Sequence, residues 1–226
     1  MNRVSDAWSA VRTIEVGSPS GLSRTLTPLL DAHLPRTLLA ATGVALAYAA
    51  TAWLGTAYIF PGARVSALWF PNAILLAALL LSRRRDWWIY LALVLPAHYL
   101  VLPLQGNVPP GRGVIGYVGN CATAVVGALA LSAFVPGMRR IDRLRTATAF
   151  ILLAGILAPL CTSLLVAAAA VAVGVSTTFW WTTVARSLSN AFAILTLVPL
   201  ILHGAAWLRQ RNSRFIPRGP PRRRCW

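Results

Sequence analysis

In a chain whose residues are 57% hydrophobic, a few strongly polar side chains stand inside long apolar runs: Asn72, His98, Asn120, Arg186 and Asn190. An arginine fork suits a carboxylate or phosphate bidentately, while amide and imidazole groups supply further donors and acceptors. Such a set points to recognising an anion rather than making bonds. The chemistry of catalysis is missing. The only histidines are His33, His98 and His203, and the acids Asp6, Glu15, Asp31, Asp86 and Asp142 all lie outside the apolar runs. There is no phosphate-cradling glycine loop, no carboxylate pair and no Ser/His/Asp set. We therefore expect no enzyme, no metal site and no cofactor. Cys121 and Cys161 lie in apolar runs and Cys225 near the end. An odd count without metal-ligand spacing argues against disulfides and zinc, so the first two read as small packing residues.

The elements that must position these groups are membrane spans. The chain has 226 residues, 12% of them charged, and a mean hydropathy of +0.65, outside the range of soluble domains. We read an all-α integral membrane bundle of six spans: Thr37 to Phe60, Val65 to Ser82, Trp87 to Leu104, Val114 to Pro136, Thr146 to Val175 and Trp180 to His203. Residues 1–36 form an N-terminal tail without the apolar core of a signal peptide. Residues 37–203 form the membrane domain, and residues 204–226 an Arg/Pro-rich tail expected to be disordered.

Arginine placement gives the orientation, because cytoplasmic segments retain positive charge. Arg3, Arg12, Arg24 and Arg36 precede the first span. Arg83, Arg84 and Arg85 follow the second, Arg139, Arg140, Arg143 and Arg145 follow the fourth, and Arg209, Arg211, Arg214, Arg218, Arg222, Arg223 and Arg224 follow the sixth. Only Arg64 and Arg112 fall on the other side, so both termini should be cytosolic. Positive charge at span ends, without a soluble basic face, excludes nucleic acid as a partner despite the pI near 11.7. Trp87, Trp88, Trp180, Trp181 and Trp207 sit at span ends, where indole rings favour the interface.

Counting inward from the outer ends at about 1.5 Å per residue puts Asn72, His98, Asn120 and Arg186 at one level, roughly 9 to 11 Å deep, with Asn190 one turn further in. In the sixth span Thr182, Thr183, Arg186, Ser189, Asn190 and Ala193 share a face, opposite Val184, Leu188, Phe192 and Leu195. The polar stripe should face the bundle or a wet cavity. With no acid in any span, Arg186 must meet backbone groups and amides, lipid phosphate by snorkelling, or an anionic ligand. The plainer alternatives are a satisfied interior histidine for His98 and helix-to-helix bonds for Asn72 and Asn120. Pro71, Pro96 and Pro159 should interrupt their helices, and the long fifth span should tilt, kink at Pro159 or hide a re-entrant piece. Ala41, Ala45 and Ala49, and Gly119 with Gly127, allow close helix approach.

The stretch LWFPNAILLAALLLSRRRDWWIYLALVLPAHYL, Leu68 to Leu100, resembles the first family of membrane-associated sensor (MASE-type) domains. The likeness continues through GNCATAVVGA, RIDRLRTATAFILLAGILAPLCTSLL and RSLSNAFAILTLVPLI. It covers Trp69, Pro71, Asn72, Pro96, His98, Asn120, Gly127, Pro159, Arg186, Asn190 and Pro199, and it adds Trp69 to the ligand-binding candidates. It implies a multi-pass sensory input in the bacterial inner membrane, of the kind found ahead of sensor histidine kinases and diguanylate cyclases. Relatives often carry acids aligned near Thr123 and Val166, which are lost here, and they continue into output modules. The chain reads as a truncated or orphan sensor. Its expected partners are membrane lipids and a small anionic or amphiphilic ligand. A separate kinase or cyclase and a second copy, making a homodimer, are the protein partners left open. The alternatives are a transport component, such as the substrate-binding subunit of a vitamin importer, and a remnant without function.

Overall fold

The computed structural model describes residues 20–59, 66–106, 110–136, 141 and 143–214. The loop and tail arginines Arg3, Arg12, Arg64, Arg139, Arg140, Arg218, Arg222, Arg223 and Arg224, and Cys225, lie outside them. The chain falls into two compact units, Met1–Leu39 and Ala40–Trp226. The site described below belongs wholly to the second.

Among the described residues six main helical segments account for the architecture: α1 (Ser20–Thr56), α2 (Pro71–Leu81), α3 (Trp87–Val101), α4 (Pro110–Phe134), α5 (Leu144–Ala172) and α6 (Phe179–Arg214). There is no β-strand among the described residues beyond one isolated bridge between Ile59 and Ser66. Five segments are long and apolar enough to cross a membrane, namely His33–Thr56, Arg84–Gln105, Gly111–Phe134, Leu144–Ala172 and Phe179–Arg211. Their outward faces carry Trp53, Val118, Leu165, Leu188 and Leu200, all exposed, as lipid-facing surfaces do in a bundle that needs no polar coat.

The second expected span is the exception. Its helix has only 11 residues, about 16 Å at 1.5 Å per residue, against the roughly 30 Å of a hydrocarbon core. Pro71 does not interrupt this helix; it starts it, taking the first turn where a missing N–H is tolerated. The residues before it are held in a non-helical path. The Ser66 hydroxyl donates to the Gly55 and Leu68 carbonyls (2.8 and 3.0 Å), and the Ala67 N–H donates to the Tyr58 carbonyl (2.8 Å). Gly55 permits that path, since a Cβ there would stand 3.1 Å from the Leu68 carbonyl oxygen. Short as it is, α2 is the most enclosed element: Leu75, Leu76 and Leu79 are fully buried, with α4 and α6 packed against it.

Other expectations shift for local reasons. Trp87 is not an interfacial anchor; it is buried, and its indole donates to the Leu79 carbonyl at 3.0 Å, satisfying the last turn of α2. Trp88, Trp180, Trp181 and Trp207 are exposed as expected. Inside α5, residues Phe150–Leu157 form a π-helical stretch running up to Pro159. The missing proline N–H is thus absorbed by a change of winding within a continuous helix, with no re-entrant piece. Pro96 does lie inside α3. α6 continues to Arg214, so residues 204–214 of the expected disordered tail are helical, while 215–226 lie outside the described residues. Of the expected N-terminal tail, residues from Ser20 on are helical.

Candidate functional site

The polar stripe of α6 faces inward. Thr182, Thr183, Ser189, Asn190 and Ala193 are buried, while Val184, Leu188 and Phe192 are exposed on the opposite side. Leu195 departs from its expected lipid-facing place. It packs on α5 at Gly155, where a Cβ would meet Leu195 Cδ2 at 2.5 Å.

This stripe forms one wall of a cavity of about 280 Å³ at the ends of the helices read as outer. Five of the six candidate residues line it: Trp69, His98, Asn120, Arg186 and Asn190. They come from different elements. Trp69 stands in the irregular turn before α2, His98 on α3, Asn120 on α4, and Arg186 and Asn190 one turn apart on α6. The sixth, Asn72, does not line the cavity. It is fully buried behind Asn190, to whose Oδ1 its Nδ2 donates at 2.8 Å.

Asn72 thus lies level with Asn190, a turn deeper than the count from Val65 expects. Non-helical backbone advances up to about 3.3 Å per residue where a helix advances 1.5 Å. The irregular segment before Pro71 therefore carries Asn72 further in.

His98, Asn120 and Arg186 share one network. Arg186 donates from Nη2 to Asn120 Oδ1 at 3.4 Å, and Asn120 Nδ2 donates to the Tyr48 hydroxyl at 2.9 Å. That hydroxyl lies 3.3 Å from His98 Nδ1. Arg186 therefore meets an amide, with no carboxylate in the cavity wall, and its helix face turns it inward, away from the lipid to which it might have snorkelled. The His98 ring sits among Tyr48, Tyr99 and Tyr117, with centroids 5.7 to 6.4 Å away.

Two helices approach closely beside Arg186. At Gly119 a Cβ would stand 2.3 Å from Val166 Cγ2 and 3.4 Å from Arg186 Nη2, so only glycine lets α4 pass α5 here. One helical turn on, the Thr123 and Thr162 hydroxyls bond to each other at 2.8 Å. Thr123, a position where an acid was expected from relatives, is a neutral bridge between α4 and α5.

Sequence reasoning missed Tyr48, the fully buried hub of the network. A tyrosine in mid-span, away from the interface that tyrosine favours, is a detectable signal because its hydroxyl needs a partner there. It also missed Arg112 and Gln105 as cavity-lining residues, having placed Arg112 in a loop. Among the described residues no group of His, Cys, Asp and Glu could hold a metal ion.

The MASE1 family model matches residues 38–221, most of the chain and every residue of the cavity. The chain belongs to the MASE1 family. MASE1 domains are membrane sensory domains, so a cavity built inside the bundle rather than on a soluble face is where such a domain has room for a signal. No curated protein and no solved structure matches the chain.

Proposed function

We propose that this protein is the input domain of a bacterial signalling system, seated in the inner (plasma) membrane with both termini in the cytosol. It admits a small anionic or amphiphilic ligand from the outer side, and the ligand biases helix packing. The signal passes to a kinase or cyclase. One observation carries the ligand reading. Several buried side-chain polar atoms lack a hydrogen-bond partner among the described residues, and three of them belong to cavity-lining residues: Trp69 Nε1, Arg186 Nε and Ser189 Oγ; the His98 ring has the Gly113 backbone beside it. A buried polar atom without a partner costs about 1–3 kcal/mol, so their concentration at one cavity is what a site awaiting a polar ligand would show.

Transmission is supported by α6. Its 36 residues reach about 54 Å, beyond the roughly 30 Å hydrocarbon core. One rigid element therefore carries Arg186 at the cavity and projects past the other side. A ligand shifts packing only as far as it favours one arrangement over another. The test joins the chain at Arg214 to a diguanylate cyclase catalytic domain and measures cyclic dinucleotide in cells. Arg186→Gln and Asn120→Leu should shift output several-fold, and Leu188→Ala, on the lipid face, should not. Equal output from all three would overturn the sensory reading. An importer subunit would instead show solute uptake into proteoliposomes together with an ATPase partner.

A further inference from the structure

The character of the cavity wall narrows the ligand class, an inference that rests on the sensory reading above. Of its three orphaned atoms, Trp69 Nε1 and Arg186 Nε are obligate donors, and Ser189 Oγ can donate. Arg112 adds a second positive charge to the wall, close enough to Arg186 for the two to act on each other. No acid among the described residues lines the cavity. The wall therefore suits a ligand that accepts hydrogen bonds and carries negative charge.

Size and polarity restrict it further. A cavity of about 280 Å³ has room for a small organic molecule. One part of the wall is apolar, with Leu102, Ile115, Val166 and Ala170, and suits a hydrocarbon body, while Gln105, Ser176, Thr177 and Thr178 add polar groups elsewhere. A doubly charged phosphate loses far more hydration on burial than a monoanion does. A lipid phosphate is disfavoured by position too: Arg186 lies on the face of α6 opposite the exposed Val184 and Leu188.

We infer that the cavity binds a small organic carboxylate. Its carboxylate lies against the Arg186 guanidinium and the Trp69 indole N–H, and its hydrocarbon body lies along Leu102, Ile115 and Val166. The three orphaned atoms are closed to solvent in the structure. Binding therefore turns Arg186 and Trp69 slightly toward the cavity, and that adjustment is the step that engages α6.

The test uses the full chain in nanodiscs of phosphatidylcholine, titrated with sodium pentanoate and followed by thermal melting. Pentanamide, pentylamine and inorganic phosphate are the matched probes. Pentanoate should raise the melting temperature, and pentanamide, which has the same shape without the charge, should bind at least roughly tenfold more weakly, as expected when a charged hydrogen-bond partner is lost. Arg186→Lys should retain part of the pentanoate effect, and Arg186→Gln should lose it. If Arg186→Gln fails to fold, the pentanoate-to-pentanamide comparison on the unaltered protein decides alone.

Equal shifts from pentanoate and pentanamide would overturn the inference. So would stabilisation by phosphate, or by nanodiscs containing phosphatidylglycerol, with none from pentanoate, which would assign the cavity to phosphate chemistry. The cyclase fusion separates this from the sensory reading. A response of output to Arg186→Gln without pentanoate binding would sink the ligand class alone, and pentanoate binding without any change of output would sink the sensory reading alone.

Discussion

Gly119→Ala tests whether the cavity is built by close helix approach. The added methyl would lie 2.3 Å from Val166 Cγ2 and must retreat by about 1.1 Å to reach the ordinary 3.4 Å contact. Val166 cannot swing away easily, because a β-branched side chain in a helix has one strongly preferred rotamer. The strain falls on the spacing of α4 and α5. Overpacking of this kind costs typically 1–3 kcal/mol, while alanine gains about 1 kcal/mol over glycine in a helix interior. The net expectation is a destabilisation of about 0–2 kcal/mol for the single change.

The decisive quantity is therefore the coupling with Val166→Ala, which removes the clashing methyl. In a double-mutant cycle the pair should recover roughly 1–3 kcal/mol relative to the sum of the single changes. Unfolding in mixed micelles, read by the fluorescence of the nine tryptophans, measures each corner of the cycle. The same methyl would stand 3.4 Å from Arg186 Nη2, an ordinary contact, so the guanidinium should keep its place. A Gly119→Ala protein of wild-type stability with coupling below about 0.5 kcal/mol, the usual additivity error, would refute the close approach.

Asn190→Leu strands the Asn72 amide in the bundle and should destabilise by about 1–3 kcal/mol, most of it recovered when Asn72→Leu is added; an additive pair in the same micelle assay would contradict the bond. Tyr48→Phe removes the hydroxyl shared by His98 and Asn120 and should cost about 1–3 kcal/mol in all for two intramembrane hydrogen bonds, lowering the unfolding midpoint. Trp87→Phe should lower it by the equivalent of about 1 kcal/mol through loss of the bond to Leu79, whereas Trp88→Phe, on an exposed side chain, should leave it unchanged.

Much of this protein is legible in its sequence because a bilayer admits few solutions. Backbone groups must be satisfied within each segment, so long apolar runs become helices, and five of the six expected spans match observed helices to within a few residues at their outer ends. The inward stripe on α6 follows from the same constraint: Thr182, Arg186, Ser189 and Asn190 share a face, and a polar face in lipid is too costly. What composition does not encode is which apolar helix reaches across. Val65 to Ser82 has the hydropathy of a span, but the Ser66 bonds and the proline at the helix start shorten it. Those are contacts of one side chain with a distant carbonyl, invisible to any window average. Trp87 fails as an interfacial anchor for a related reason, since the same indole suits a membrane interface or the unsatisfied end of a short buried helix.

The depth count picked out residues that line one cavity although it mismeasured Asn72, and the reason is physical. His98, Asn120 and Arg186 stand on regular helices counted from an outer end, so a rise of about 1.5 Å per residue brings them to one level, where they join through Tyr48. Asn72 follows irregular backbone, so its count is short and it lands beside Asn190. A single intramembrane polar residue is satisfied cheaply by a neighbouring backbone group; residues on four helices converging at one depth must satisfy one another or a guest. Here they do so incompletely. Asn72 donates to Asn190, Arg186 reaches Asn120 only at 3.4 Å, and Trp69 Nε1, Arg186 Nε and Ser189 Oγ, left without partners among the described residues, belong to residues that line the cavity. The Asn72–Asn190 pair holds helices together, whereas Arg186 is the group we propose meets a ligand. Removing the Asn72–Asn190 pair should alter stability, and removing Arg186 should alter response.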